Sequence, residues 1–158
     1  MYFDEYQKYS HRYWMSKALS FIEDENKGLK EVPVAALVVK NDKLIAKAVN
    51  KIEKLSDATA HAEILAIREA SKELGDWRLN ECILYVTLEP CAMCAGAIIN
   101  SRISKLVFGA YDINYGVCGA SFNLFSELRK NDQIEIIGGI LEEEASQILK
   151  KCFLQKRF

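Results

Sequence analysis

The chain has 158 residues, half of them apolar, with 27% charged residues of mixed sign and a net charge of -1. That length fits one domain, residues 1–158, with enough core to fold without disulfide staples. The near-neutral balance excludes a globally basic nucleic-acid binder, though not a local basic patch. No apolar stretch, such as Val34 to Val39 or Ile83 to Leu88, approaches the roughly 20 residues that cross a bilayer.

In chain order, Asp4 to about Glu25 reads as a helix, with Asp4 as N-cap and Asn26-Lys27-Gly28 as its stop. Tyr2, Tyr6, Tyr9 and Tyr13 recur at helical spacing, which points to packing. His11, on the same helix, is expected to be exposed. Val34 to Lys40 is a strand buried on both faces. Asn41-Asp42 turns the chain, and Lys43 to Asn50 returns as a second strand, a hairpin that makes the sheet mixed. A helix from about Ala60 to Leu74 places Ala60, Ile64, Ile67 and Leu74 on the helical repeat. Cys82 to Leu88 is a buried strand, Cys91 to Ser101 a helix of small and apolar residues, and Lys105 to Gly109 a fourth strand.

A loop follows from Tyr111 to Gly119, then a short helix over Phe122 to Lys130 and a fifth strand over Gln133 to Gly138. Glu142-Glu143-Glu144 opens the last helix, where acidic residues suit the positive end of the dipole. Strands alternating with helices predict an α/β fold, a three-layer α/β/α sandwich around a five-stranded mixed sheet. The N-terminus has no basic stretch leading into an apolar core, so it does not read as a signal peptide. Five cysteines, two of them in a Cys-x-x-Cys, favour a reducing compartment and metal binding over disulfides. The expected location is the cytoplasm, with no membrane association.

Two runs carry the chemistry: His61-Ala62-Glu63 and Pro90-Cys91-Ala92-Met93-Cys94. One imidazole and two thiols supply three ligands for a tetrahedral zinc ion, and a catalytic zinc leaves its fourth position for water. Both runs sit at helix mouths, whose partial positive charge is expected to hold Cys91 and Cys94 as thiolates. Glu63, two residues from His61, is then a proton carrier and not a fourth ligand. A redox Cys-x-x-Cys would sit early, after a first strand, which this one does not. A structural zinc needs a fourth ligand; His11, Cys82, Cys118 and Cys152 are candidates, but none forms a second paired knuckle. Cys82, Cys118 and Cys152 are read most simply as unpaired thiols.

His-Ala-Glu followed by Pro-Cys-x-x-Cys is the signature of zinc deaminases. Around it, Glu31-Val32-Pro33-Val34, Asn50, Asp57 to Ile64, Trp77-Arg78-Leu79, Leu84 to Ile99, Ser101-Arg102-Ile103, Val107 to Ala110 and Gly139-Ile140-Leu141 closely resemble bacterial-type tRNA-specific adenosine deaminases. These belong to the cytidine/deoxycytidylate deaminase superfamily. The resemblance covers nearly the whole chain. It implies a cytidine deaminase-like fold, a homodimer, and conversion of adenosine to inosine at the wobble position of a tRNA anticodon stem-loop. It implies zinc, one ion per subunit, on His61, Cys91 and Cys94, with a zinc-bound hydroxide attacking C6 and Glu63 as proton shuttle. Asn50 and the backbone N–H of Ala62 are the substrate contacts it supports.

The chain departs from the family's commoner residues at Ala35, Ala58, Gly116 to Ala120 and Cys152-Phe153, none of them in the metal set. Lys150, Lys151, Lys156 and Arg157, with Phe153 and Phe158, could grip loop phosphates and stack on bases, or could simply end a solvated helix. Two alternatives remain. One is a zinc deaminase of a free base or nucleoside such as guanine or cytosine. The other is a zinc-stabilised RNA-binding module without catalysis.

Overall fold

The computed structural model describes residues 9–25, 30–128 and 134–155. Helix α1 spans His11–Glu25. Its start is fixed by Ser10, whose hydroxyl accepts a hydrogen bond from the Tyr13 N–H at 3.1 Å, as an N-cap does. The predicted cap at Asp4, the stop at 26–28 and the tyrosines Tyr2 and Tyr6 lie outside the described residues. Tyr9 and Tyr13 do pack, stacked with ring centroids 4.3 Å apart.

Strands β1 (Ala35–Lys40) and β2 (Lys43–Val49) form the expected hairpin. Its two-residue turn puts both Asn41 and Asp42 at positive φ, 50° and 56°. Asn and Asp tolerate that region best after glycine, and such turns match the twist of the strands. A single helical turn, α2 (Ile52–Leu55), follows; the sequence reading missed it. Helix α3 covers Ala62–Leu74, β3 Cys82–Leu88, α4 Ala92–Asn100 and β4 Lys105–Ala110. Helix α5 (Leu124–Leu128), strand β5 (Glu135–Ile137) and helix α6 (Glu142–Gln155) complete the order.

The sheet order is β2-β1-β3-β4-β5. Strand β1 runs antiparallel to both β2 and β3, while β3, β4 and β5 are parallel. The five-stranded mixed sheet is therefore as predicted. Strand side chains alternate between two cores. Ala36, Val38, Leu84, Val86, Leu106 and Phe108 face α3 and α4. Ala35, Leu37, Val39, Tyr85 and Val107 face α1 and α6. Helices on both faces explain why the central strands read as continuous apolar runs.

Two expectations need correction. The face that α3 buries is an alanine stripe, Ala62, Ala66 and Ala70, with Ile64, Ile67 and Leu74 only partly covered and Ala60 outside the helix. Small residues let the helix axis lie close to the sheet, so the larger side chains are pushed to its flanks. His11 is not simply exposed. Its Nδ1 lies 2.9 Å from the hydroxyl of the fully buried Tyr85. Burial lowers the His11 pKa, helped by Lys105 and opposed by Glu135.

Candidate metal and catalytic centre

The site is built at two helix entrances. Asp57 accepts from both the N–H and the hydroxyl of Thr59, at 2.8 and 2.7 Å. That turn delivers His61 as the N-cap of α3, in extended conformation with φ -69° and ψ 151°. Cys91 is likewise the extended N-cap of α4, with φ -80° and ψ 176°. Because His61 stands just outside the helix, its ring is not bound by the helical spacing that would turn it away from Glu63. Cys94, one turn into α4, is buried beside Cys91.

The three donors converge. The Nδ1 of His61 lies 3.7 Å from Cys91 Sγ and 3.5 Å from Cys94 Sγ. Zinc bonds of ordinary length at the tetrahedral angle put nitrogen and sulfur about 3.6 Å apart, so the donor set fits that ion. All three ligand atoms fall within 4.8 Å of one another. His11, Cys82, Cys118 and Cys152, the conceivable fourth ligands, are not in this cluster. Among the described residues no disulfide forms; all five cysteines are free.

Proton balance in the cluster is uneven. The Cys91 thiol is pushed down to about 4, chiefly because the Cys94 thiol donates to it and then because His61 lies beside it, against the cost of burial. Cys94 moves up, since Cys91 holds its proton in place and burial adds to the effect. Without a cation the two thiols share a proton, one being depressed and the other raised. The His61 pKa is raised, first by Cys91, against burial. A divalent cation on these donors would displace the remaining protons, as metal binding does generally. Glu63 is 4% exposed. Burial raises its carboxyl pKa, with a smaller opposing pull from its own backbone. A carboxyl in such surroundings can hold a proton as well as release one.

A cavity of about 560 Å³ opens onto this centre, lined in part by His61, Glu63 and Cys91. Asn50 and Ala62 line it as well, as do Val32, Val34 and Ile52. Asn50 is buried at the end of β2; its Nδ2 donates to the Val32 carbonyl at 3.3 Å and its Oδ1 accepts from Ile52 N–H at 3.4 Å. Phe153 reaches the cavity from α6. Lys150 and Lys151 are exposed but do not line it, and Lys156, Arg157 and Phe158 lie outside the described residues.

The sequence reading placed Glu31 and Glu89 within the family's motifs but gave neither the part of holding the cavity walls. Glu89 is 2% exposed and accepts from the N–H groups of Asp112, Cys118 and Ala120 at 3.2, 2.9 and 3.3 Å. It pins the 111–120 loop, and a methyl at Gly116 would strike its carboxylate. Glu31, also buried, accepts from Glu53 and Lys54 N–H at 3.2 and 2.7 Å and so anchors α2 beside Asn50. The available signal was an acidic residue sitting inside apolar surroundings, Glu89 directly after the β3 run and Glu31 before Val32. Asp112 and Tyr115, also on the cavity, left no periodic trace.

Three kinds of comparison agree. Residues 9–157 match the family model of MafB19-like deaminases. The tRNA-specific adenosine deaminase of Bacillus subtilis (strain 168) is 50% identical over 133 residues, 84% of this chain and 81% of that protein. The protein of the same description from Haemophilus influenzae is 44% identical, over 86% of this chain and 79% of its own. A structure from work on A-to-I editing by tRNA:A34 deaminases at the wobble position superposes with a TM-score of 0.80 at 39% identity. It covers 85% of this chain and 97% of the other. A guanine deaminase from Nitrosomonas europaea superposes with a TM-score of 0.79 at 27% identity, over 90% and 84% of the two chains.

Proposed function

This chain belongs to the tRNA-specific adenosine deaminases, and from that membership we propose that it hydrolyses adenosine to inosine at the wobble position of a tRNA anticodon. The observation that carries the reading is the His61, Cys91 and Cys94 cluster with a buried carboxylate, Glu63, beside it on one cavity. His61, Cys91 and Cys94 would hold one zinc ion. When bound, the cation supplies Lewis acidity and a water acidic near neutrality, with a pKa of about 7.

Glu63 takes a proton from the attacking water and passes it to N1 of adenine. C6 becomes tetrahedral; Glu63 then takes the remaining proton from the oxygen added at C6 and delivers it to the exocyclic amine, which leaves as ammonia as the C6 carbonyl forms. Adenosine and water thus give inosine and ammonia. Proton transfer by a positioned side chain contributes about 10²- to 10⁴-fold. Asn50 spends one Nδ2 hydrogen on Val32 and offers the second to a purine edge. The Ala62 N–H, in the first turn of α3, has no intrahelical acceptor and lines the same cavity.

An anticodon loop suits this chemistry because its bases are already partly unstacked, so turning one out is cheap. Phe153 would meet that loop at the cavity, and the lysines of α6 its phosphates. The reading treats residues 1–158 as one deaminase domain, working in the cytoplasm as a homodimer. No described helix is long and apolar enough to cross a membrane. The experiment is to incubate the purified protein with an anticodon stem-loop RNA and with total tRNA, then digest and measure inosine. Ammonia released only from free guanine or cytosine would instead favour the chemistry of the guanine deaminase neighbour.

A further inference from the structure

Tyr115 is an aromatic ring at the rim of the candidate site, open to solvent and to whatever enters it. It lines the cavity that holds His61 and Glu63, yet it is 74% exposed. It belongs to neither hydrophobic core. The ring therefore stands at the cavity mouth, and among the described residues it packs into neither core.

Its backbone, by contrast, is held closely. The Asp112 carboxylate accepts from Asn114 and Tyr115 N–H at 3.0 and 3.1 Å, and the Asp112 carbonyl accepts from Gly116 N–H at 2.8 Å. Glu89 in turn holds Asp112, Cys118 and Ala120. A buried carboxylate and a second acidic side chain thus fix a turn whose ring is exposed and lies in neither core of the described residues.

The charge around the ring decides what it receives. Asp112 and Glu89 line the same cavity, and no Lys or Arg is among its described lining residues. Two carboxylates repel a phosphate, so the ring's partner is a nucleobase face and not the RNA backbone. The inner cavity, next to Glu63, takes the base that reacts. An exposed ring at the mouth lies beyond it, where the neighbouring nucleotide of a single-stranded loop passes. We infer that Tyr115 is a stacking platform for a base flanking the edited adenosine, and so helps set which loop sequences are accepted. The inference rests on the RNA reading above and adds to it a residue and a contact type.

Stacking on an aromatic side chain tolerates any base and does not depend on charge. Tyr115→Ala is therefore expected to lower kcat/KM on a stem-loop RNA about tenfold, mainly through KM. Tyr115→Phe and Tyr115→Trp keep near wild-type efficiency, and Tyr115→Leu, with bulk but no π face, behaves like the alanine variant. The fold-loss is the same at low and high salt, unlike a lost phosphate contact. Replacing one flanking nucleotide by an abasic residue removes the difference between Tyr115→Ala and wild type. Tyr115→Trp fluorescence is quenched on binding intact loop and not on binding that abasic loop.

An alanine variant as efficient as wild type overturns the inference, as does a phenylalanine variant as poor as alanine. A loss that persists on every abasic substrate also overturns it. Wild-type protein that forms no inosine in any RNA overturns the RNA reading itself, whereas wild-type activity with indifferent Tyr115 variants overturns only the platform.

Discussion

Under the proposed mechanism Glu63 carries both the proton transfers and a cost. It is 4% exposed, in surroundings that disfavour its charge, and a buried carboxylate is costly unless well compensated. Glu63→Gln keeps the shape and removes the charge and the proton. Turnover is expected to fall by about 10²- to 10⁴-fold or more, with zinc content unchanged and the melting temperature equal or higher, since catalytic groups are often held at a cost in stability. A variant that keeps full turnover would remove the proton-shuttle role. His11 shows the opposite balance, a titratable group that serves the fold. Its pKa is lowered by burial, so the folded state resists protonation while the unfolded chain does not. The stability it supports is complete above its ordinary value of 6.5 and drains away as pH falls from there through its lowered folded value. Melting temperatures of wild type and His11→Gln between pH 7.5 and 5.5 test this: the wild type should lose more on acidification, and parallel curves would show that His11 is not the group responsible.

The elements that place the chemistry were legible where backbone periodicity dictated them. The β1 and β3 runs, apolar but for Lys40 and Thr87, read as strands covered on both faces, and Asn41-Asp42 as the turn between β1 and β2. The stripe on α3 misled because residue hydrophobicity ranks isoleucine above alanine, while close helix-to-sheet approach selects alanine. The single turn of α2 left no trace, and the loop expected over Tyr111 to Gly119 gave no hint of its fixed shape, because both are held by distant buried acids and not by local pattern. That dependence gives a prediction at this scale. Glu89→Ala strips acceptors from three N–H groups, and orphaned donors cost about 1–3 kcal/mol each when buried. Relief from burying a charge offsets part of this, leaving a net loss of about 2 kcal/mol, which is about 4–8 °C in Tm for a chain of this size. kcat/KM on RNA should fall further than stability does, because Asp112 and Tyr115 lose their fixed positions. Unchanged kinetics with a lowered Tm would confine Glu89 to a structural part.

Across the whole molecule, the candidate site is where two separate stretches of chain meet. His61 enters at the mouth of α3 and Cys91 and Cys94 at the mouth of α4, with the whole of α3 and β3 between them. The three donors were legible from composition and order alone, since few residue types bind zinc. The cavity was not, because its walls come from β2, α2, a loop and α6 at once. An ion held across such a junction ties the two helix mouths together only in the folded state. Ligand that binds the native chain alone adds about 4 kcal/mol when free ion exceeds the dissociation constant a thousandfold. In a protein this size that amounts to about 8–16 °C in Tm. Chelation should therefore abolish inosine formation and lower Tm by several degrees, and added zinc should restore both. In Cys91→Ser, which loses one of the three donors, chelator should move Tm little. Scanning calorimetry with and without chelator decides the matter, because a wild-type melting curve indifferent to chelator would mean that no tightly held ion joins α3 to α4.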